Sequence, residues 1–446
     1  MSRAIDRHHT GAEHAPHALP PTRLTVDGMM APQNAHTARR ADGEPRPDSP
    51  SSAERPAAAP IEVEIRDGTV FAADMESRTH ALAIADLAGR AAEPNPFMHP
   101  AFIKAAAAEY GPAAIAVLFA WRGEARDPHA LLGALVLRRL RTPFRLWSAS
   151  VEGRFHDFSF LSTPVVDASA LEPVLTAILD AMAGSSLPKR LSFSLIGDEG
   201  PVMTGLKTVL RQRHSPLAVM ASYRRALARS DNPAAFTPSA STRKKLRQYR
   251  RRLAEQGPVA VTRHQTPAEV TMALEEFLQL EASGWKGRAG TALISRAADA
   301  DFARAAFPAM AATGDAVIDV LRLDGKAAAI QILARSGRGY FTWKIAYDEA
   351  LRDYSPGVLL VEDYTTHLMS DPAVGFLDSC SHDDTGFMAA LWKDRQPIAD
   401  VIFDVRPGER AGTVLLTALE RNLLNLRGRL KSLYYRYKDR RKPART

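Results

Sequence analysis

Tyr340 to Met369, YFTWKIAYDEALRDYSPGVLLVEDYTTHLM, reads as a strand, a loop and a helix in immediate succession, and that order narrows the folds open to the chain. Each element has one apolar side to bury, so a strand feeding a helix belongs to a layered α/β arrangement. The strand half, Tyr340 to Tyr347, is aromatic-rich and carries β-branched Thr342 and Ile345; Gly337 and Gly339 precede it and Asp348-Glu349 follow. The helix half begins at Ser355-Pro356-Gly357. Serine caps a first turn, proline at the first helical position gives up no needed amide, and glycine lets a ligand approach the backbone closely. Free amides together with the positive end of the helix dipole suit a phosphate or pyrophosphate. Two readings follow from the residues: the floor of a nucleotide-type cofactor site, or an ordinary strand-to-helix connection.

The chain has 446 residues, 46% of them hydrophobic, enough for two domains with real cores. No stretch reaches the ~18 to 20 apolar residues of a membrane span, and the N-terminus has no apolar signal-peptide core, so a cytoplasmic protein is expected. A single cysteine, Cys380, excludes an intramolecular disulfide and a cysteine-based metal cluster, and its setting suits packing better than nucleophilic chemistry. His8, His9, His14 and His17 lack cysteine or close carboxylate partners, so no metal is expected. The net charge of +8 is concentrated in two places. Arg243 to Arg252, RKKLRQYRRR, holds seven basic residues and no acid, and a second basic run closes the chain from Arg427 to Arg445. Such patches suit RNA, an anionic membrane surface, a phosphorylated substrate or the phosphates of a cofactor, and they equally suit a solvated helix face.

Residues 1–60 are rich in Ala, Pro, His, Arg and Ser without apolar periodicity, the composition of a disordered tail. Residues 61–220 alternate strand and helix patterns: Ile61 to Ile65, His80 to Ala91, Ala101 to Tyr110, Ala113 to Trp121, Leu131 to Leu137, Phe144 to Ser148, Ala170 to Ala183 and Leu191 to Leu195. In this half, His156-Asp157 is a weak candidate for a cleft, and no phosphate-type helix start is evident. Residues 221–408 repeat the α/β pattern. Ser241 or Thr242 caps a helix to about Gln256, Val259 to Thr262 is a strand, and Pro267 to Glu281 and Asp299 to Thr313 are helices. Three strands in meander spacing follow, with Asp324-Gly325 as the hairpin turn between the first two. The helix from Pro356, a strand at Gly375 to Cys380, a short helix at Gly386 to Trp392 and a strand at Asp400 to Val405 complete the unit. Residues 409–446 form an amphipathic helix with Leu415, Leu416, Leu419, Leu423, Leu426, Leu430 and Leu433, expected to pack on a domain before its end turns basic.

The order of elements in the second half, with FLQLEASGWKGRAG (Phe277 to Gly290), resembles the CelD-like, BioF-type acetyltransferases of the GNAT superfamily. RKKLRQYRRRL at Arg243, DGKAAAIQI at Asp324, WKIAYDEALRDYSPGVLL at Trp343 and Trp392 carry the same resemblance, which covers Phe97 to Val405. That family is related to the FemAB peptidyltransferases. The resemblance implies two GNAT-like lobes in tandem, with mixed, largely antiparallel sheets. It also implies acetyl-CoA or another acyl-CoA as co-substrate, and direct attack of an acceptor within a ternary complex. Ser355, Pro356 and Gly357 match the pyrophosphate position, and the backbone of Trp343, Lys344, Ile345 and Tyr347 the pantetheine arm. Asp348, Asp378, His382 and Asp383, at two strand ends opening on one cleft, are the candidate bases or anchors. Trp285, Lys286 and Arg288 form the candidate acceptor loop; a helix-ending turn explains them as well. The sequence departs from its relatives twice: the GNAT signature Arg/Gln-x-x-Gly-x-Gly/Ala is absent in its usual form, and Phe387-Met388 stands where relatives carry a Tyr-Lys pair. By the same resemblance the acceptor is a sugar, cell-wall precursor or exopolysaccharide intermediate. A FemAB-like transferase using aminoacyl-tRNA, and a non-catalytic GNAT-like module whose tail helix meets a partner or an anionic membrane, are the competing readings.

Overall fold

Two successive sets of strands and helices share one mixed sheet in the computed structural model. It describes residues 59–71, 75–123, 127–140, 150–382, 384–408, 411–412, 414–423 and 426. The expected tail before Pro60, the expected strand at 144–148 and Asp383 lie outside them.

The first set runs β1 (Ile61–Asp67), α1 (Met75–Arg90), α2 (Pro100–Tyr110), β2 (Ile115–Arg122), β3 (Leu131–Leu140), β4 (Ser150–Glu152), β5 (Val165–Val166), α3 (Leu171–Gly184), β6 (Arg190–Gly197), α4 (Pro201–Gln212) and β7 (Ala218–Arg229). The second runs α5 (Pro233–Phe236), α6 (Ala240–Ala254), β8 (Val259–His264), α7 (Pro267–Ser283), α8 (Trp285–Arg288), α9 (Ala297–Ala311), β9 (Ala316–Leu323), β10 (Lys326–Ser336), β11 (Gly339–Tyr347), α10 (Pro356–Met369), β12 (Phe376–Asp378), α11 (Gly386–Leu391) and β13 (Asp394–Asp404).

Across the sheet the order is β1-β2-β3-β4-β6-β13-β7-β12-β11-β10-β9-β8, with β5 beside β3. Most neighbours are antiparallel; β4 with β6 and β11 with β12 are parallel. The two halves exchange their closing strands. β7, from the first half, pairs with β12 of the second, while β13 pairs with β6 of the first. β13 and β7 then pair with each other from Asp394↔Leu227 to Ile402↔Ala218. Each half thereby covers the strand edge that the other would expose, and a backbone ladder joins them.

Alternation along the strands sends side chains to two faces. On one face, α1 and α2 pack with α7 and α9 in a single core drawn from both halves, where the rings of Phe102 and Phe302 lie 4.7 Å apart. The other face has two separate cores, one containing α3 and α4 and one containing α6 and α10.

Local chemistry fixes several boundaries. Thr266 and Glu269 form a reciprocal capping box on α7. Asp324 and Gly325 both take positive φ, 48° and 76°, as a tight hairpin turn requires. Ser239, rather than Ser241 or Thr242, caps α6 by accepting the Thr242 N–H.

A helix start absent from the sequence reading opens α4 at Gly200-Pro201, and its charge site is filled from within. The Glu93 carboxylate accepts the Val202 N–H at 2.8 Å, and a Cβ on Gly200 would lie 2.1 Å from a Glu93 oxygen. Burial raises the Glu93 pKa from 4.5 to about 6, against the hydrogen bond from Val202. The fold therefore holds this proton more tightly than the unfolded chain does. Stability falls as pH rises from 4.5 to about 6, by no more than about 2 kcal/mol. Glu93→Gln is expected to flatten this segment of a melting-temperature profile and to leave the variant more stable than the parent above pH 6.

The final helix also differs from expectation. Residues 411–412, 414–423 and 426 are helical, yet Leu415, Leu419, Leu423 and Leu426 are exposed. What faces the body is polar: Arg190 donates to both Glu420 oxygens and to the Thr417 hydroxyl. The buried Arg190 guanidinium needs acceptors, and the helix's polar side supplies them. Among the described residues no helix is long and apolar enough to cross a membrane.

Candidate active site

β11 and β12 pair only from Gly339↔Phe376 to Phe341↔Asp378, after which β12 ends and β11 runs on to Tyr347. A parallel pair that parts in this way leaves the backbone of the longer strand without its ladder on that edge. Just past the parting point the register of β11 against β10 shifts, from Thr342↔Leu333 to Lys344↔Ile332, so Trp343 is an extra residue. A bulge re-aims side chains, and here it turns Trp343 and Lys344 toward the same face. Gln331 supports the bulge by donating to the carbonyl oxygens of Ile332 and Lys344, at 2.9 and 2.8 Å.

On the α6/α10 face, Ile345 and Tyr347 lie beneath the start of α10. A Cβ built on Gly357 would sit 3.6 Å from Ile345 and 3.8 Å from Tyr347, which is ordinary contact. Ser355 does not cap the helix with its side chain, as the sequence suggested. Its backbone takes φ 51°, ψ 51°, the left-handed region, to turn the Glu349–Tyr354 3-10 segment into α10. Arg352-Asp353-Tyr354-Ser355-Pro356-Gly357 thus has the Arg-x-x-Gly-x-Gly spacing, with serine in a glycine-like conformation at the first glycine position. Val358 and Leu359 donate to the Ser355 carbonyl, which leaves the Gly357 amide at the helix mouth. Basic α6 packs alongside. Lys245 and Ser355 beside Tyr249 lower its phenol pKa, with the Lys245 amine 5.5 Å from the Tyr249 ring centre; the Arg252 guanidinium lies 5.3 Å from the Tyr354 ring centre, and Arg250 pairs with Glu362 and Asp363 of α10. The positive end of the helix dipole, with basic α6 packed alongside, suits an anion.

On the opposite face, Lys344 meets an acid that the sequence reading passed over. Glu281, 3% exposed, accepts from Lys286 at 2.7 Å and from the Leu293 N–H at 2.8 Å, and lies 4.0 Å from the Lys344 amine. Lys344 also sits 4.8 Å from the Phe158 ring centre. Burial lowers its pKa from 10.5 to about 8, with Glu281 and Asp299 holding it up and Lys286 pressing it down. Glu281 would be raised by its own burial, but Lys344, Lys286 and the Leu293 amide hold it below the ordinary carboxylate range. Glu281 continues the buried stripe Ala273, Leu274, Phe277, Leu278, so a carboxylate on an apolar helix face was the available signal.

The remaining candidates divide. Trp343 is buried against Phe307 and Phe158, and its indole N–H donates to the Phe158 carbonyl. Trp285 is exposed, its backbone N–H donates to Glu349 at 2.5 Å, and Arg288 bonds the other Glu349 oxygen at 2.5 Å. Glu349 thereby ties α8 to the segment leading into α10, while a Cβ on Gly287 would lie 1.8 Å from the Ala282 carbonyl oxygen, so only glycine permits this fold-back. Lys286 and Arg288 are thus each engaged by a glutamate. Asp348 accepts the Ala350 N–H and starts the 3-10 segment. Asp378 is buried in an ion pair with Arg225 at 2.6 Å and accepts the Cys380 N–H at 2.8 Å. His382 is exposed with its ring 5.7 Å from Phe160, and Asp383 lies outside the described residues. His156 is buried, stacked on Phe302 and hydrogen-bonded to Glu109 at 2.9 Å.

Residues 240–384, from the start of α6 to just past β12, match the family model of the acetyltransferase (GNAT) domain. Among solved structures, the chain resembles FemX at 11% identity, with 72% of this chain and 95% of that one covered and a TM-score of 0.50. It also resembles a C-terminal domain from Agrobacterium fabrum assigned as lysylphosphatidylglycerol synthetase, at 14% identity, 78% and 96% coverage and TM-score 0.49. A tandem GNAT protein from the clavulanic acid biosynthesis pathway aligns at 15% identity, 78% and 100% coverage and TM-score 0.39. No curated protein matches the chain.

Proposed function

We propose that this chain is an acyltransferase that draws its acyl group from an acyl-CoA and passes it to an amine or hydroxyl by direct attack. The GNAT-domain match at 240–384 supports the reaction class. The observation that carries the donor is the start of α10, where Ser355 stands in a glycine-like conformation two residues before the Gly357 amide, with basic α6 packed alongside. In this reading that spot holds the pyrophosphate, and the edge of β11 freed beyond Phe341 hydrogen-bonds the pantetheine arm along Trp343 to Tyr347. The reacting thioester then lies near the Trp343 bulge. Lys344 in its neutral form takes the proton that the acceptor sheds as its new bond to the acyl carbon forms and the carbon–sulfur bond breaks. Glu281 and Lys286 position Lys344. The α8 segment with Trp285 borders the acceptor side, and a sugar or cell-wall intermediate is the acceptor class in keeping with the words around Phe277 to Gly290.

Calorimetric titration of acetyl-CoA and longer acyl-CoAs tests the donor. The parent and Gly357→Ala are expected to bind, because the extra Cβ fits. Gly357→Glu places a carboxylate at the positive helix end and is expected to lose binding. Failure of the parent to bind any acyl-CoA would overturn the proposal. A second donor is favoured by one feature, the exposed Arg243, Lys244, Arg247 and Arg251 on α6. Saturable aminoacyl-tRNA binding whose affinity falls steeply with salt would place the chain with the tRNA-dependent transferases instead.

A further inference from the structure

The helix described at residues 411–412, 414–423 and 426 is seated with its polar side inward. Thr417 is 5% exposed and, with Glu420, meets the buried Arg190. Leu415, Leu419, Leu423 and Leu426 are 62%, 43%, 49% and 52% exposed, and their spacing places them on one stripe roughly opposite Thr417. The sequence carries that spacing on to Leu430 and Leu433. Isolated surface leucines are ordinary; a continuous leucine stripe held outward by a buried ion pair on its other side calls for an occupant. Charge identifies it. Residues 409–446 contain eleven Lys and Arg against three Asp and Glu, a balance of +8 that equals the net charge of the entire chain. Residues 1–408 are therefore balanced overall, and the excess sits in the same segment as the leucines, together with Tyr434, Tyr435 and Tyr437. An apolar stripe, flanking cations and tyrosines are what a helix needs to lie in the headgroup region of an anionic bilayer.

We propose that this helix binds the surface of an anionic lipid bilayer, with Leu415, Leu419, Leu423 and Leu426 inserted at the headgroup boundary and the basic residues that follow them in sequence on lipid phosphates. The Arg190 pair holds the body of the protein to the helix's other side, so docking requires no rearrangement of the sheet.

Co-sedimentation of the full chain with phosphatidylcholine vesicles, with and without phosphatidylglycerol, tests it. Binding is expected only with phosphatidylglycerol, weakened by about tenfold or more when salt rises from ~0.1 to ~0.5 M. The double variant Leu419→Glu/Leu423→Glu, at positions already in solvent, is expected to melt like the parent and lose vesicle binding. Arg440→Gln/Arg441→Gln/Lys442→Gln is expected to weaken binding while leaving the leucines intact. No binding to phosphatidylglycerol vesicles, or equal binding to neutral ones, would overturn the proposal. So would concentration-dependent dimerisation without lipid that the leucine variant abolishes, since a second copy would then be the occupant.

Discussion

Replacing Lys344 with methionine is expected to lower kcat/KM for acyl transfer by about 10² to 10⁴, the span that a positioned general base contributes. Methionine keeps the unbranched stem against Phe158 and Trp343, so packing changes little and the loss reports the amine. The pH profile separates this from a structural effect. Burial sets the Lys344 pKa at about 8, and only the neutral amine accepts a proton. In the parent, kcat/KM should therefore rise with pH and level off above about 8; in Lys344→Met that rise should vanish. Glu281→Gln gives the opposite control. It removes a negative charge 4.0 Å away that holds the lysine pKa up, so the inflection should move to lower pH while catalysis survives. A parent-like rate in Lys344→Met would assign the proton to another group.

The second large effect is on stability. Asp378→Ala is expected to cost about 3–5 kcal/mol, because it leaves a buried guanidinium without its carboxylate. Arg225 is 1% exposed, and its other partner is the Phe160 carbonyl at 2.6 Å. The same substitution removes the acceptor for the Cys380 N–H. Cys380 is the chain's single cysteine and is 5% exposed, with burial raising its thiol pKa, so it labels only when this region opens. Its labelling rate with a thiol reagent should rise by about 100-fold or more in Asp378→Ala. The double variant Arg225→Met/Asp378→Leu should recover most of the loss, since an apolar pair of similar volume leaves no buried charge. If Asp378→Ala melts and labels like the parent, the ion pair contributes no net stability.

The strands and helices of the second half were legible because their residues are locally consistent. Thr266 with Glu269, the Asp324-Gly325 turn and the Pro356 start are signals that neighbours in sequence enforce. β7 and β13 were harder. Their partners lie across the exchange between halves, and no local pattern records which half a closing strand will join. The site divides in the same way. The α10 start and the β11 strand were read from sequence, whereas the acid beside Lys344 lies on a helix more than sixty residues earlier. Glu349 was visible only as an acid after a strand, and its hold on Trp285 and Arg288 depends on how α8 folds back.

What the sequence determined by itself is most of the elements of the second half, the anion-suited helix start and the two concentrations of positive charge, because propensity, capping and composition act within a few residues. Tertiary structure decided the rest: the strand exchange, the bulge that turns Trp343 and Lys344 to one face, the lysine pKa near 8, and the outward leucines of the last helix. These depend on burial and on partners distant in the chain. Desolvation and ion pairing act through space, so Arg190 could turn a helix over and Glu281 could meet Lys344 without any mark in the local pattern.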